Sequence, residues 1–175
     1  MLLQLQHSYK APLMPRVIAL SLAAIIVFTS SAFAGEHDLP DLKVTPGAAI
    51  LGITADDVCS PGYAAKARHV TQEVRQQVYA AYGLTNGNHT GYCSGREGCE
   101  LDHLISLELG GSNDANNLWV EPYEGEWGAH TKDRLESKLH EMVCAGKISL
   151  KEAQHDIASD WIAAYHRYVE QSDSH

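Results

Sequence analysis

The chain has 175 residues, 45% of them apolar and 20% charged, with 22 acidic against 13 basic side chains and a formal charge of −9. That length allows one domain with a real core plus a processing segment. The acidity argues against a protein that coats nucleic acid electrostatically, but it leaves room for an enzyme that grips a phosphodiester locally.

Residues 1–34 read as a secretory signal peptide. Lys10 and Arg16 are the only charges before Glu36, and Val17 to Phe28 is apolar. Ala32-Phe33-Ala34 then places small residues at both key cleavage positions, so cleavage is expected after Ala34. The alternative is an uncleaved N-terminal anchor. The exported part carries 11 basic and 22 acidic residues, a formal charge of −11. It is expected in the periplasm or the medium, with no stable membrane association after cleavage.

Residues 35–58, interrupted by Pro40, Pro46 and Gly47, read as a partly ordered arm; 59–171 read as the folded domain and 172–175 as a frayed tail. Cys59-Ser60-Pro61-Gly62 is a turn. Thr71 to Tyr82 is predicted helical, with Thr71 as N-cap, Val74, Val78 and Ala81 on one face, and Gly83 just past the end. Residues 84–98 are rich in Gly, Asn, Thr and Ser and read as loop. Residues 100–120 read as a β-hairpin with a long turn through Gly110-Gly111-Ser112-Asn113-Asp114, the return strand starting at Asn117 and stopping at Pro122. A helix from His130 to Val143 follows, closed by Gly146. A last helix opens at the Ser149-x-x-Glu152 capping box, and its stripe Leu150, Ala153, Ile157, Trp161, Ala164 reads as core. The fold class is therefore α+β.

All four cysteines, Cys59, Cys93, Cys99 and Cys144, lie in the exported part, which reads first as two disulfides. Three pairings are possible. Cys93 and Cys99 bracket a flexible loop that closes easily, which leaves Cys59 with Cys144 as a long-range staple. The rival is a structural zinc site on Cys93 and Cys99, at a spacing wider than the usual knuckle.

The hairpin and the helix after it can gather chemistry. Hydrolysis of a phosphodiester needs a base near neutral pH, a group to orient that base, and positive charge at the phosphate. His103 suits the base and Asn117 the orienting role. Asp102 and His130 can hold a divalent cation, with Asp133 and His140 as competitors for that place and Asn116 as a substitute for Asn117. Mg²⁺ or Mn²⁺ suits the oxygen-rich set, and the imidazole leaves Zn²⁺ or Ni²⁺ open. Lys132 and Arg134 are candidates for phosphate contact, but on a helix surface such residues are more often solvated or paired with carboxylates such as Glu136 and Glu141. Strand alternation sets one strain on this scheme: Asp102 and His103 point to opposite faces unless the strand twists or ends there.

Asp102-His103-Leu104-Ile105, then Leu109-Gly110-Gly111-Ser112-Asn113-Asp114, then Asn117-Leu118-Trp119, then His130 with Lys132 just after, resembles the HNH (His-Me finger) nuclease family. Ser106 stands where that family commonly has Pro, and the paired C-x-x-C elements of many members are lacking. The resemblance covers about residues 99–135. It implies a ββα-metal core with flanking helices, stabilised here by disulfides. It also implies an endonuclease dependent on a divalent metal, with His103 as general base, Asn117 orienting it, and Asp102 and His130 holding the ion. The expected substrate is nucleic acid, DNA ahead of RNA. Two other classes fit the same residues: a non-catalytic exported binding module, and a metal-dependent hydrolase of small phosphodiesters.

Overall fold

The computed structural model describes residues 39–84, 92–93 and 98–171; the segment 1–34 expected as a signal peptide, the start of the expected arm, most of the 84–98 loop and the tail expected to fray at 172–175 lie outside the described residues. Among the described residues, five α-helices and one two-stranded antiparallel sheet make up an α+β arrangement: α1 (Ala55–Val58), α2 (Tyr63–Ala67), α3 (Gln72–Ala81), β1 (Cys99–His103), β2 (Leu118–Pro122), α4 (Ala129–Cys144) and α5 (Leu150–Tyr165). Among the described residues no helix is long and apolar enough to cross a membrane.

Local sequence explains most of these elements. Thr71 caps α3 by accepting from the Val74 amide, and Ser149 caps α5 by accepting from the Glu152 amide. Thr54 and Asp57 close a reciprocal capping box at α1. α5 bends at Asp160, which leaves helical geometry; its Oδ1 then accepts from the Ala163 amide and restarts the helix. A π-turn over His166–Glu170 ends the element.

The main core forms where α4 crosses α5 beneath the hairpin. Leu135, Leu139 and Val143 meet Ala153, Ile157 and Trp161 there, with Leu104, Leu109 and Trp119 from the hairpin. A smaller cluster of Tyr79, Cys93, Cys99 and Val120 lies on the other side of the sheet. The two disulfides join Cys59 to Cys144 and Cys93 to Cys99. The first ties the end of α1 to the end of α4 across 85 residues, and the second closes a six-residue step at the start of β1.

The stretch expected as a partly ordered arm is bonded into the fold along 45–50. Thr45 is fully buried, and its hydroxyl donates to the Leu118 carbonyl at 2.8 Å. Gly47 N–H donates to Asn116 O, Ile50 N–H to Gly110 O, and Ser112 N–H to Ala48 O. These residues satisfy backbone groups of the hairpin turn that would otherwise lack partners.

Candidate functional site: a cleft at the end of strand β1

Asp102 is paired with Trp119 and His103 with Leu118 in the hairpin register. Alternation sends Glu100 and Asp102 to the face shared with Trp119 and Glu121, which is the α4 side, and His103 to the face of Leu101 and Val120. The strain noted above is relieved because β1 stops at His103. Both side chains consequently reach one cleft of about 360 Å³, whose walls also carry Arg68, Ser106, Glu108, Asp133 and Glu136.

Asn117 is fully buried, and its amide works on the backbone. Its Oδ1 accepts from Ile105 N–H at 2.9 Å and Ala48 N–H at 3.1 Å; its Nδ2 donates to Ile105 O at 3.0 Å and Ser112 O at 2.9 Å. One side chain thus locks both ends of the hairpin turn and the arm. Gly111 has no room beside it: a Cβ there would lie 1.7 Å from Ile105 O and 2.8 Å from Asn117 Nδ2. Gly110 takes a left-handed φ of 73°. The two glycines and Asn117 are one device that ends the strand at the required place.

The residue that orients His103 is Asn113, where the sequence reading put Asn117. His103 Nε2 lies 3.1 Å from Asn113 Oδ1. The amide orientation follows from its other bonds: Nδ2 donates to Ala67 O at 2.8 Å, and Oδ1 accepts from His69 N–H at 3.2 Å. Nε2 must therefore carry the proton, and in the neutral ring Nδ1 keeps its lone pair. Burial pushes the His103 pKa below the ordinary histidine value, against the Asn113 bond and the Asp102 charge, so the ring is a neutral base at pH 7.

On the other face of β1 the charge is enclosed. Lys132 is 1% exposed, yet it is a lysine. Its Nζ donates to Asp102 Oδ2 at 2.7 Å, to His103 O at 2.8 Å and to Glu136 Oε1, with Glu121 Oε2 3.8 Å away. An ammonium has three N–H donors, and all three are used. Burial alone would lift the Asp102 pKa, but the Lys132 charge and its hydrogen bonds outweigh this and hold it at about 2. Burial raises Glu121 well above the usual carboxylate range and Glu136 to about 8. The expectation of a surface Lys132 gives way to a buried one. The i,i+4 pairing with Glu136 is present, while Arg134 stacks over the Tyr165 ring at 5.1 Å.

His130 and Asp102 are not brought together as a donor pair. His130 is exposed in the first turn of α4 and is not among the cleft's walls. It leaves the helix about 200° around from Lys132, so while Lys132 points at Asp102, His130 cannot. Neither residue belongs to a cluster of three ligand atoms among the described residues. The donor set expected for a divalent ion therefore does not fit: one member is committed to an ammonium and the other points elsewhere. Asp133 and Glu136 line the cleft, whereas His140 lies at the Cys59–Cys144 disulfide, its Nε2 3.1 Å from Val58 O and 3.4 Å from Cys144 Sγ. Cys59, His140 and Cys144 have ligand atoms within 4.8 Å of one another and could bind a metal. In this structure the two sulfurs are bonded to each other, so they offer no thiolates.

The sequence reading missed Asn113, Arg68, Glu121 and the burial of Lys132. For Lys132 a signal exists: Ala129, Lys132, Leu135, Leu139 and Val143 form one buried stripe, and a lysine occupies a place where a hydrophobe belongs. Asn113 and Arg68 carry no such periodic signal. Compared with protein-family models, with curated proteins and with solved structures, the chain matches none, so the residues and geometry of the cleft are what a functional reading has to stand on.

Proposed function

We propose that the cleft hydrolyses phosphodiester bonds of nucleic acid, DNA ahead of RNA, and that the chain is an exported endonuclease of the HNH type. The observation that carries this reading is His103: a buried neutral imidazole, oriented by Asn113, at the end of a strand in an open cleft. The hairpin-then-helix order and the Asp-His, Gly-Gly and Asn-Leu placements support the His-Me finger assignment. The A-x-A site before Gly35 and the two disulfides support export to the periplasm or the medium.

In this mechanism His103 Nδ1 takes a proton from a water molecule as its oxygen attacks phosphorus. The bond from phosphorus to the leaving oxygen breaks, and that oxygen receives a proton from Glu136, whose raised pKa of about 8 keeps it protonated at neutral pH. Arg68, exposed at the rim, holds a non-bridging phosphate oxygen. No step is assigned to a divalent ion, because its expected donors do not assemble.

The test is cleavage of plasmid and of RNA by the chain from Gly35 onward, with disulfides intact. His103→Ala is expected to lower the rate about 10²–10⁴-fold without loss of fold. The rate is expected to fall on the acid side at a pH below the ordinary histidine value, and on the alkaline side near pH 8. A shallow salt dependence is expected from a cleft whose walls carry Arg68 as their cation. The acidic walls, Asp102, Glu108, Asp133 and Glu136 against Arg68, favour a second reading as a non-catalytic binding module. A folded protein that cleaves neither substrate under any condition selects that second reading.

A further inference from the structure

The cation position beside His103 is already filled by the protein itself. We infer that the Lys132 ammonium is the resident cation of an all-oxygen cage formed by Asp102, Glu136, Glu121 and the His103 carbonyl, and that the protein binds no divalent ion there. This deepens the hydrolytic reading and depends on it only for the activity arm of the test.

The cage follows from the register and the helix. Asp102 opposes Trp119, so Glu121, two residues further along β2, is its diagonal neighbour on the same face. Lys132 and Glu136 are one helical turn apart on α4 and face that corner together. Three oxygens, from Asp102, Glu136 and the His103 carbonyl, thus meet one ammonium at hydrogen-bond distance, with Glu121 Oε2 3.8 Å behind them, although among the described residues the carboxylates are not drawn together as a ligand cluster in their own right. Nζ holds that place, with two bonds at 2.7 and 2.8 Å, a third to Glu136, and no donor left over. The side chain is 1% exposed, so a divalent ion could take the place only by expelling a buried, fully bonded lysine. A dication beside Nζ would also meet a like charge at close range. Lys132 does not reach substrate; it is a positioning residue that holds the Asp102 carboxylate and the His103 backbone in place.

If Lys132 is the resident, its removal leaves the Asp102 carboxylate, Glu136 and the His103 carbonyl, with Glu121 behind them, free to close on a cation in its place. The experiment is a Mn²⁺ titration of the oxidised chain from Gly35 onward, followed by the paramagnetic resonance of free Mn²⁺. Wild type and Asp102→Asn are expected to give the same titration, with no stoichiometric site lost between them. Lys132→Ala is expected to gain one saturable site that Lys132→Ala/Asp102→Asn lacks, and to show a Tm that rises with Mn²⁺ where the wild-type Tm does not. A stoichiometric site in the wild type that vanishes in Asp102→Asn overturns the proposal, as does a folded Lys132→Ala that gains none. If Lys132→Ala does not fold, the wild-type titration decides. Cleavage by the wild type is expected to persist undiminished in EDTA; a complete loss in EDTA restored by Mn²⁺ overturns the inference. Absence of cleavage in every condition refutes the hydrolytic reading instead, and the Mn²⁺ titration still judges the cage.

Discussion

The two faces of β1 treat their polar residues in opposite ways. On the α4 face, Asp102 meets a lysine whose three donors are all taken, with Glu121 and Glu136 closing the corner. On the other face, the His103 imidazole has one hydrogen-bond partner among the described residues, Asn113, and one nitrogen with a free lone pair beside a cleft. The residues are adjacent in sequence and differ by which side of a pleat they leave. A group whose bonding capacity is filled contributes to stability and specificity of packing, while a group held at one end and open at the other can accept a proton. The contrast explains why Asp102 beside a catalytic-looking histidine need not itself be catalytic.

The largest effect expected is on the closed face. Lys132→Met leaves buried carboxylates without their counter-charge, and a loss of about 3–5 kcal/mol in urea unfolding is expected. A variant as stable as the wild type would break the comparison, since the cage would then be an incidental contact. On the open face, Asn113→Ala frees the imidazole and the loop from each other. Its cost is expected in rate, up to about a hundredfold, with a much smaller change in unfolding midpoint than Lys132→Met produces. Equal loss of stability in both variants would show that the two faces are not different in kind.

The smallest effect is a slope against pH. The folded-state pKa of Glu136 lies at about 8, above the value of about 4.3 expected in the unfolded chain. Between these values the unfolded state ionises while the folded state keeps its proton. Stability is therefore highest at the acid end of that window and falls as pH rises through about 8, by at most about 1.4 kcal/mol per pH unit from this group. Glu121, also raised, acts with the same sign. Thermal unfolding across this window is expected to show the decline, and Glu136→Gln should flatten it. A slope of opposite sign would mean that Glu136 is ionised in the folded protein and that Lys132 shares its charge among three carboxylates.

What could be read in advance had a local cause. The caps at Thr71 and Ser149, the glycine stop at Gly83 and the apolar stripes of α4 and α5 depend on residues within one or two helical turns, so spacing alone reveals them. The hairpin was legible because Gly110-Gly111 and Pro122 punctuate two apolar runs, although β1 ends at His103 and a short 3₁₀ turn over Leu107–Leu109 replaces the rest of the expected strand. Loop length favoured Cys93 with Cys99 among the three pairings open to four cysteines, and the fold sets Cys59 against Cys144. The site was only half legible, since Asp102 and His103 advertise themselves as a pair. Their partners come from residues 10 and 30 positions away, and nothing in local periodicity records which side chain meets which. Asn117 and Asn113 are the same residue type four positions apart, and only the folded turn assigns the backbone to one and the imidazole to the other. Lys132 reads as a surface lysine until the register of the hairpin sets Asp102 and Glu121 opposite α4. The sequence by itself determined which segments coil, turn and cross-link. The tertiary structure decided which charges neutralise each other, because a burial cost and its compensation arise only when distant elements pack together.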